Sequence, residues 1–375
     1  MEFTPQKLEK VHRAMQREEV DVLLITRAQD VQYITGYQTQ KYYLPTACIV
    51  VNGKTPLLLI SNLQKEALGQ DSVMSEVRDF TPHRTDTWYP THADSFWSHI
   101  KETIHETGMQ SGMFGLQQEW LSVRDFEGLK SSLPDAGFKD FSSVLWRLRQ
   151  VKDAAEIDAI TQAVRVAEIG IRTALELVTP EKTESLASVE IESAMRSAGG
   201  QLRGIRAAIL SGSNARFPFA QPGPHRISSS VPVVIDITVS HAGYFAEVAR
   251  TVHLGTPTKE QRALFEDNLN ISKTIEANVA PGITIDELVS RVSSEIGKQC
   301  PQEVVIGPLG SSVGLDLREP PPIMAGNMTA LRAGMVLSVH PVCYDPNIGS
   351  TKIADILHVT EDGCDNLTTL ARETM

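Results

Sequence analysis

Asp236 and Glu247 stand eleven residues apart in the stretch VVIDITVSHAGYFAEVARTVHLG, residues 233–255. Asp236 closes the apolar run VPVVID, and a carboxylate at such a strand end either caps a turn or faces a cleft. Glu247 lies among Phe245, Ala246, Val248 and Ala249. A charged side chain in so apolar a strand has to be paired or to line a cavity. Arg250 is close by along the chain, so an ion pair with Glu247 is the plain structural reading and contact with a bound ligand the functional one. His340 falls in MVLSVHPV, where strand alternation sets it on the same face as Ser338. An imidazole, with an ordinary pKa of about 6.5, can take a proton from water or from a substrate nitrogen at neutral pH. A partly buried carboxylate can orient that imidazole or bind a cationic group. Ser311 and Ser312 in GSSVG offer backbone N–H groups to an anion or oxyanion, or form a plain Gly-Ser turn. Arg318 either joins such a ligand or pairs with its neighbour Glu319.

The elements that must position these residues follow from periodicity. The first 145 residues alternate helical patterns (PQKLEKVHRAMQREE, DSFWSHIKETIHETG) with short apolar strands (VDVLLIT, and ACIVVNGKTPLLLIS folded at Asn-Gly). That order predicts a small α/β domain with a mixed sheet. LWRLRQVKDAAEIDAITQAVRVAEIGIRTALELV reads as one long amphipathic connecting helix. Residues 146–375 then read as an α+β domain whose strands lie mostly in hairpins. Composition is that of an ordinary globular protein, with 41% hydrophobic and 22% charged residues and a net charge of −11. The acidic balance, with no basic cluster, argues against a nucleic-acid or anionic-membrane surface. No run reaches the roughly 18 apolar residues of a membrane span, and the N-terminus has no apolar signal core, so the expectation is a cytoplasmic protein. Cys48, Cys300, Cys343 and Cys364 show no metal-knuckle or disulfide spacing.

Several segments together resemble the prolidase, aminopeptidase P and creatinase superfamily, whose catalytic domain is the pita-bread fold. They are LRQVKDAAEIDAI, SGSNARFPFA, DITVSHAGYFAEVART, GSSVGLDLREPPPI, LRAGMVLSVHPVCY and KIADILHVTEDG, in family order over nearly the whole chain. The resemblance implies a pita-bread domain at 146–375 behind a creatinase-like N-terminal domain at 1–145. The peptidases of this superfamily hold two metal ions with Asp, Asp, His, Glu and Glu. Laid on that pattern, the ligand positions fall on Asp236, Glu247, Ser311, His340 and Ala354, so a dinuclear centre lacks donors. Family histidines fall on Phe219 and Arg318, and His225 is a candidate to replace one of them if its loop folds inward. LDLRE, LRAGMVLSVHP and ADILHVTEDGCDNLT look more like metal-free creatinase, yet its histidine falls on Phe219 and its glutamates on Ala249 and His340. GYQTQKYYLP, with Tyr42 and Tyr43, matches a region that in creatinase-like dimers approaches the partner's pocket, although an exposed aromatic loop is the plainer reading.

The expected protein is a homodimeric, metal-independent, creatinase-like enzyme with no cofactor. It hydrolyses a C–N bond of a small nitrogenous substrate. His340, Glu247 and Asp236 form the catalytic set, and Ser311, Ser312, Arg318, Arg250, Phe219, His225, Tyr42 and Tyr43 bind substrate. Three alternatives stand beside it: a mononuclear metal enzyme on Asp236, Glu247 and His340, a catalytically inactive binding protein of the same fold, and an Xaa-Pro peptidase.

Overall fold

A computed structural model of the chain describes residues 5–38, 44–65, 68, 76–81, 92–201, 203–212, 214–216, 220–296, 305 and 307–373. Two compact units, Met1–Arg149 and Gln150–Met375, make up the chain. The first holds helices α1 (Pro5–Arg17), α2 (Ala28–Thr35), α3 (Asn62–Lys65), α4 (His92–Thr107), α5 (Val123–Ser132) and most of α6 (Ser142–Gln150). Its strands are β1 (Val22–Ile25), β2 (Ala47–Val51), β3 (Leu57–Ser61), β4 (Glu76–Phe80), β5 (Met113–Leu116) and β6 (Gly137–Asp140). They form one mixed sheet in the order β4-β3-β2-β1-β5-β6. The Asn-Gly turn falls as the sequence predicts: Gly53 takes φ 76°, and β2 runs antiparallel to β3. Phe96, Ile100 and Ile104 of α4 are buried against Phe80, Phe114 and the apolar runs of β1 to β3.

The predicted connecting helix is two helices. α6 ends at Gln150, and α7 (Ala154–Leu177) restarts after Asp153. Asp153 accepts from the Glu156 backbone N–H while the Glu156 carboxylate accepts from the Asp153 N–H. This reciprocal cap satisfies two N–H groups that continuous helix would otherwise use, and it fixes a new start. The break places Lys152 with its backbone N–H on Gly334 O at 2.8 Å.

In the second unit α7 and α8 (Glu184–Ser197) cover one face of a three-stranded sheet, β7 (Arg206–Leu210), β8 (Val233–His241) and β9 (Tyr244–Val252). Ile235, Ile237, Val239 and Val248 bury there against Ala167, Ile171, Ile191 and Met195. Truncating one such isoleucine to alanine costs about 2–5 kcal/mol. α9 (Lys259–Asn278) and α10 (Ile285–Ile296) share a second core with strands from the remainder of the unit. Those strands are β10 (Gly310–Ser312), β11 (Glu319–Ile323), β12 (Val336–Val339), β13 (Val342–Asp345), β14 (Gly349–Lys352), β15 (Asp355–Val359) and β16 (Cys364–Asn366). Their main sheet is antiparallel in the order β11-β10-β12-β15-β16, with β13 and β14 as a separate hairpin. Leu337, Val339 and Leu357 belong to the core shared with α9 and α10, so the alternate residue Ser338 points to the other side. An antiparallel bridge between Ala249 and Ala354 links β9 to the segment before β15.

Candidate functional site

The hairpin of β8 and β9 turns at Ala242 and Gly243, both with positive φ (48° and 83°), as a two-residue hairpin loop requires. Its register pairs Asp236 with Ala249 and Thr238 with Glu247. Asp236 and Glu247 are thus diagonal neighbours on one face, the face turned away from α7 and α8. Lys352 at the end of β14 meets them there. Thr251 fixes its backbone from both sides: Thr251 Oγ1 accepts from Lys352 N–H at 2.8 Å and donates to Lys352 O at 3.0 Å. Lys352 Nζ then lies 2.8 Å from Asp236 Oδ2 and 2.6 Å from Glu247 Oε1. The other Glu247 oxygen takes Arg318 Nη2 at 2.6 Å and a hydrogen bond from Ser338 Oγ at 2.9 Å. Asp236 Oδ2 also has Arg206 Nη1 at 3.4 Å, while Oδ1 is buried with no hydrogen-bond partner among the described residues.

These contacts set the protonation states. Burial alone would push the Glu247 carboxyl up, but the charges of Lys352, His340 and Arg318 and the Lys352 hydrogen bond hold it well below the ordinary range. Burial likewise works against the Lys352 ammonium, and Asp236 and Glu247 outweigh it, so its pKa is raised. His340 goes the other way. Burial lowers it to about 4, assisted by Arg318 and Lys352 and only partly offset by Glu247. Its imidazole is therefore neutral at physiological pH. The backbone N–H of His340 donates to Leu309 O at 2.9 Å, and ring atom Nε2 is buried with no partner among the described residues. His340, Ser311, Arg318, Glu319 and Lys352 line a cavity of about 410 Å³, walled by Pro308, Pro320, Pro322 and Val342.

Several sequence expectations are corrected here. Arg250 does not bind substrate and does not pair with Glu247. Three residues along a strand reverse the face, and Arg250 is fully buried on the helix side of β9. There it donates to Asp355 Oδ1 at 2.8 Å and to the carbonyls of Ala249, Ala354, Leu370 and Ala371. Ser312 is buried and accepts from Lys152 Nζ at 2.9 Å, which makes it a structural partner. Arg318 and Glu319 do not pair with each other: Glu319 takes Lys152 at 3.1 Å, and Arg318 takes Glu247. Gly314 permits this packing, since a Cβ there would come within 2.7 Å of Glu319 Oε1. His225 is exposed and outside the cavity lining, so it replaces no site histidine. Glu247 holds two cations and stays ionised, which suits an anchor and not a proton carrier. Phe219, Tyr42 and Tyr43 lie outside the described residues. Lys352 is the site residue that the sequence reading missed.

The model of metallopeptidase family M24 matches residues 158–361, more than half of the chain, and that of the creatinase/prolidase N-terminal domain matches residues 7–151. The chain belongs to metallopeptidase family M24. An Xaa-Pro dipeptidase of Pyrococcus horikoshii is 27% identical over 374 residues, covering 100% of this chain and 99% of the relative. A second, from Pyrococcus furiosus, is 28% identical over 368 residues, covering 98% and 99%. The crystal structure of the prolidase from Pyrococcus horikoshii superposes with a TM-score of 0.84 at 25% identity, over 99% of this chain and 100% of that one. The second unit is thus the pita-bread domain of this M24 member, behind a creatinase-type N-terminal domain. The relatives' names favour the Xaa-Pro peptidase alternative and lend no support to a creatinase-like character. No helix among the described residues is long and apolar enough to cross a membrane.

Family M24 implies metal ions, and the donor set at this site does not fit them. Of the positions that the superfamily pattern assigns to ligands, Ser311 offers a hydroxyl that donates to Ser312 O at 3.0 Å, and Ala354 offers a methyl group. The space between the two remaining carboxylates is taken by the Lys352 ammonium, a cation covalently fixed to the chain. Among the described residues, no group of three or more His, Cys, Asp or Glu side chains is placed to hold a metal ion. The mononuclear alternative on Asp236, Glu247 and His340 fails on the same ground, because a divalent ion would have to displace Lys352 from both carboxylates.

Proposed function

We propose that this M24 member is a metal-independent hydrolase that cleaves a C–N bond of a small substrate in the cavity bordered by His340, Arg318 and Lys352. The observation that carries the reading is the position of Lys352 Nζ, within 2.8 Å of both carboxylates that a metal would need. The neutral His340 imidazole has a lone pair to receive a proton from an attacking water. The oxygen of that water bonds to the electrophilic carbon, and the C–N bond breaks as the imidazolium returns the proton to the leaving nitrogen. Arg318 and Lys352 supply fixed positive charge to the oxygen on which negative charge develops. Glu247 and Asp236 hold those cations in place. We further propose that the active form is a homodimer.

The test is turnover of a panel of small amides and Xaa-Pro dipeptides, measured with and without EDTA. Chelator-insensitive hydrolysis that disappears in His340→Gln is expected. A second reading, a metal-activated Xaa-Pro dipeptidase, draws on the names and full-length coverage of the relatives. Xaa-Pro cleavage that appears only with added Mn, Co or Zn and vanishes with EDTA would establish it and overturn the first.

A further inference from the structure

A second cavity, of about 400 Å³, adjoins the end of β10 and β11. Val289 and Val292 of α10 wall it together with Val305, Leu309, Ile323 and Met324, and Ser293 is the one polar side chain in its described lining. The two cavities share Gly307. Alternation along the chain divides the rest: Pro308 and Gly310 line the first cavity and Leu309 the second, while on β11 Pro320 and Pro322 line the first and Ile323 the second. Leu309 N–H donates to Ile323 O at 2.9 Å, so this backbone pair stands between the two spaces. At Gly307 φ is 73°, a conformation that favours glycine, and a Cβ there would meet no heavy atom within 4 Å. The junction is therefore open and carries no side chain.

Packed interiors leave few voids larger than a water molecule, and a space of about 400 Å³ falls in the range of ligand pockets, about 300–1,000 Å³. A buried water makes about three hydrogen bonds, whereas the side chains of this wall offer a single hydroxyl. An apolar occupant suits it better. Met324 is 48% exposed and supplies an unbranched, adaptable thioether at the rim. The first cavity, by contrast, presents Arg318, His340 and Lys352. A polar head with a flexible chain matches the two spaces, because a chain can turn at Gly307 where a rigid body cannot.

We infer that the second cavity binds an unbranched alkyl chain of a ligand whose amide head occupies the first, the chain passing over Gly307. This rests on the proposed hydrolysis and narrows its substrate to amides that carry such a chain. Burial of each methylene should tighten binding by about fourfold.

Acetamide, butanamide, hexanamide and octanamide, titrated by calorimetry into the wild-type protein and followed by melting temperature, test the inference. Affinity is expected to rise with chain length, by at least about thirtyfold from butanamide to octanamide. Ala325→Trp and Ser293→Phe, which fill the second cavity from two different walls, should cancel the gain of octanamide and leave butanamide binding unchanged. Ala325 is exposed, so the first variant keeps the buried core intact. A flat series on the wild type overturns the inference, as does a gain that survives both fillings. Octan-1-ol binding as tightly as octanamide would overturn it too, because the head would then contribute nothing. Chain-dependent binding without hydrolysis would remove the proposed reaction and leave the two-cavity site standing. Chelator-insensitive hydrolysis of butanamide with no gain for octanamide would do the reverse.

Discussion

Replacing Lys352 by methionine keeps most of the side-chain volume and deletes one charge. In the native protein that charge touches Asp236 at 2.8 Å and Glu247 at 2.6 Å, and all three side chains are at most a tenth exposed. After the change Glu247 still has Arg318 and Ser338, whereas among the described residues Asp236 keeps only Arg206, at 3.4 Å. Removing one partner of a buried pair leaves an uncompensated charge and costs about 3–5 kcal/mol. For a unit the size of Gln150–Met375, each kcal/mol lowers Tm by about 2–4 °C, so the expected fall is about 6–20 °C. Adding Asp236→Asn to Lys352→Met should recover much of the loss, because the unpaired charge is then gone. Urea unfolding followed by circular dichroism reads both variants. Millimolar Mn²⁺ should stabilise Lys352→Met and leave the wild type unchanged, because the vacated space now lies between two carboxylates. A cost below about 1 kcal/mol for Lys352→Met, or Mn²⁺ stabilisation of the wild type, would refute the idea that the lysine holds the metal's place.

His340 binds its proton only near pH 4 in the folded state, against about 6.5 when unfolded. Between those values the unfolded chain takes up the proton that the folded one refuses, so stability falls as pH drops from about 6.5 toward 4, by at most about 3 kcal/mol. In His340→Gln the part of this loss between about pH 6.5 and 5 should vanish in a urea titration series, while the acid lability from the Glu247 cluster remains. Arg250→Met should destabilise by about 3–5 kcal/mol through the Asp355 pair and the four carbonyls it serves, yet any folded fraction should bind ligand with unchanged affinity. Light scattering at micromolar concentration should report twice the 41.2 kDa chain mass, and a single unit would remove the proposed dimer.

Local pattern made the hairpin legible. The apolar neighbours of Asp236 and Glu247 mark both as strand residues, and period-two alternation sets Ser338 with His340 on one face. The same parity applied to Arg250 would have sent it to the other face; nearness along the chain misled where alternation was decisive. The break between α6 and α7 was written in the sequence too, as Asp153 followed three residues later by Glu156, but the long apolar periodicity on either side masked it. Lys352 was not legible in this way. It reaches Glu247 across 105 residues of chain, and no local period encodes such a contact. The one available signal was physical: two carboxylates in apolar strands, deprived of metal ligands, require a cation, and KIAD offers one two residues before Ala354.

An ammonium group has three hydrogens to give. In this protein Asp236 and Glu247 each engage one of those on Lys352, so a molecule entering the cavity can draw on a single remaining donor. A metal ion at the same spot would present several open coordination directions and could exchange its partners during a reaction. Lys352 is saturated but for one valence and tethered by its own backbone, so it can orient one acceptor atom and cannot rearrange around a second.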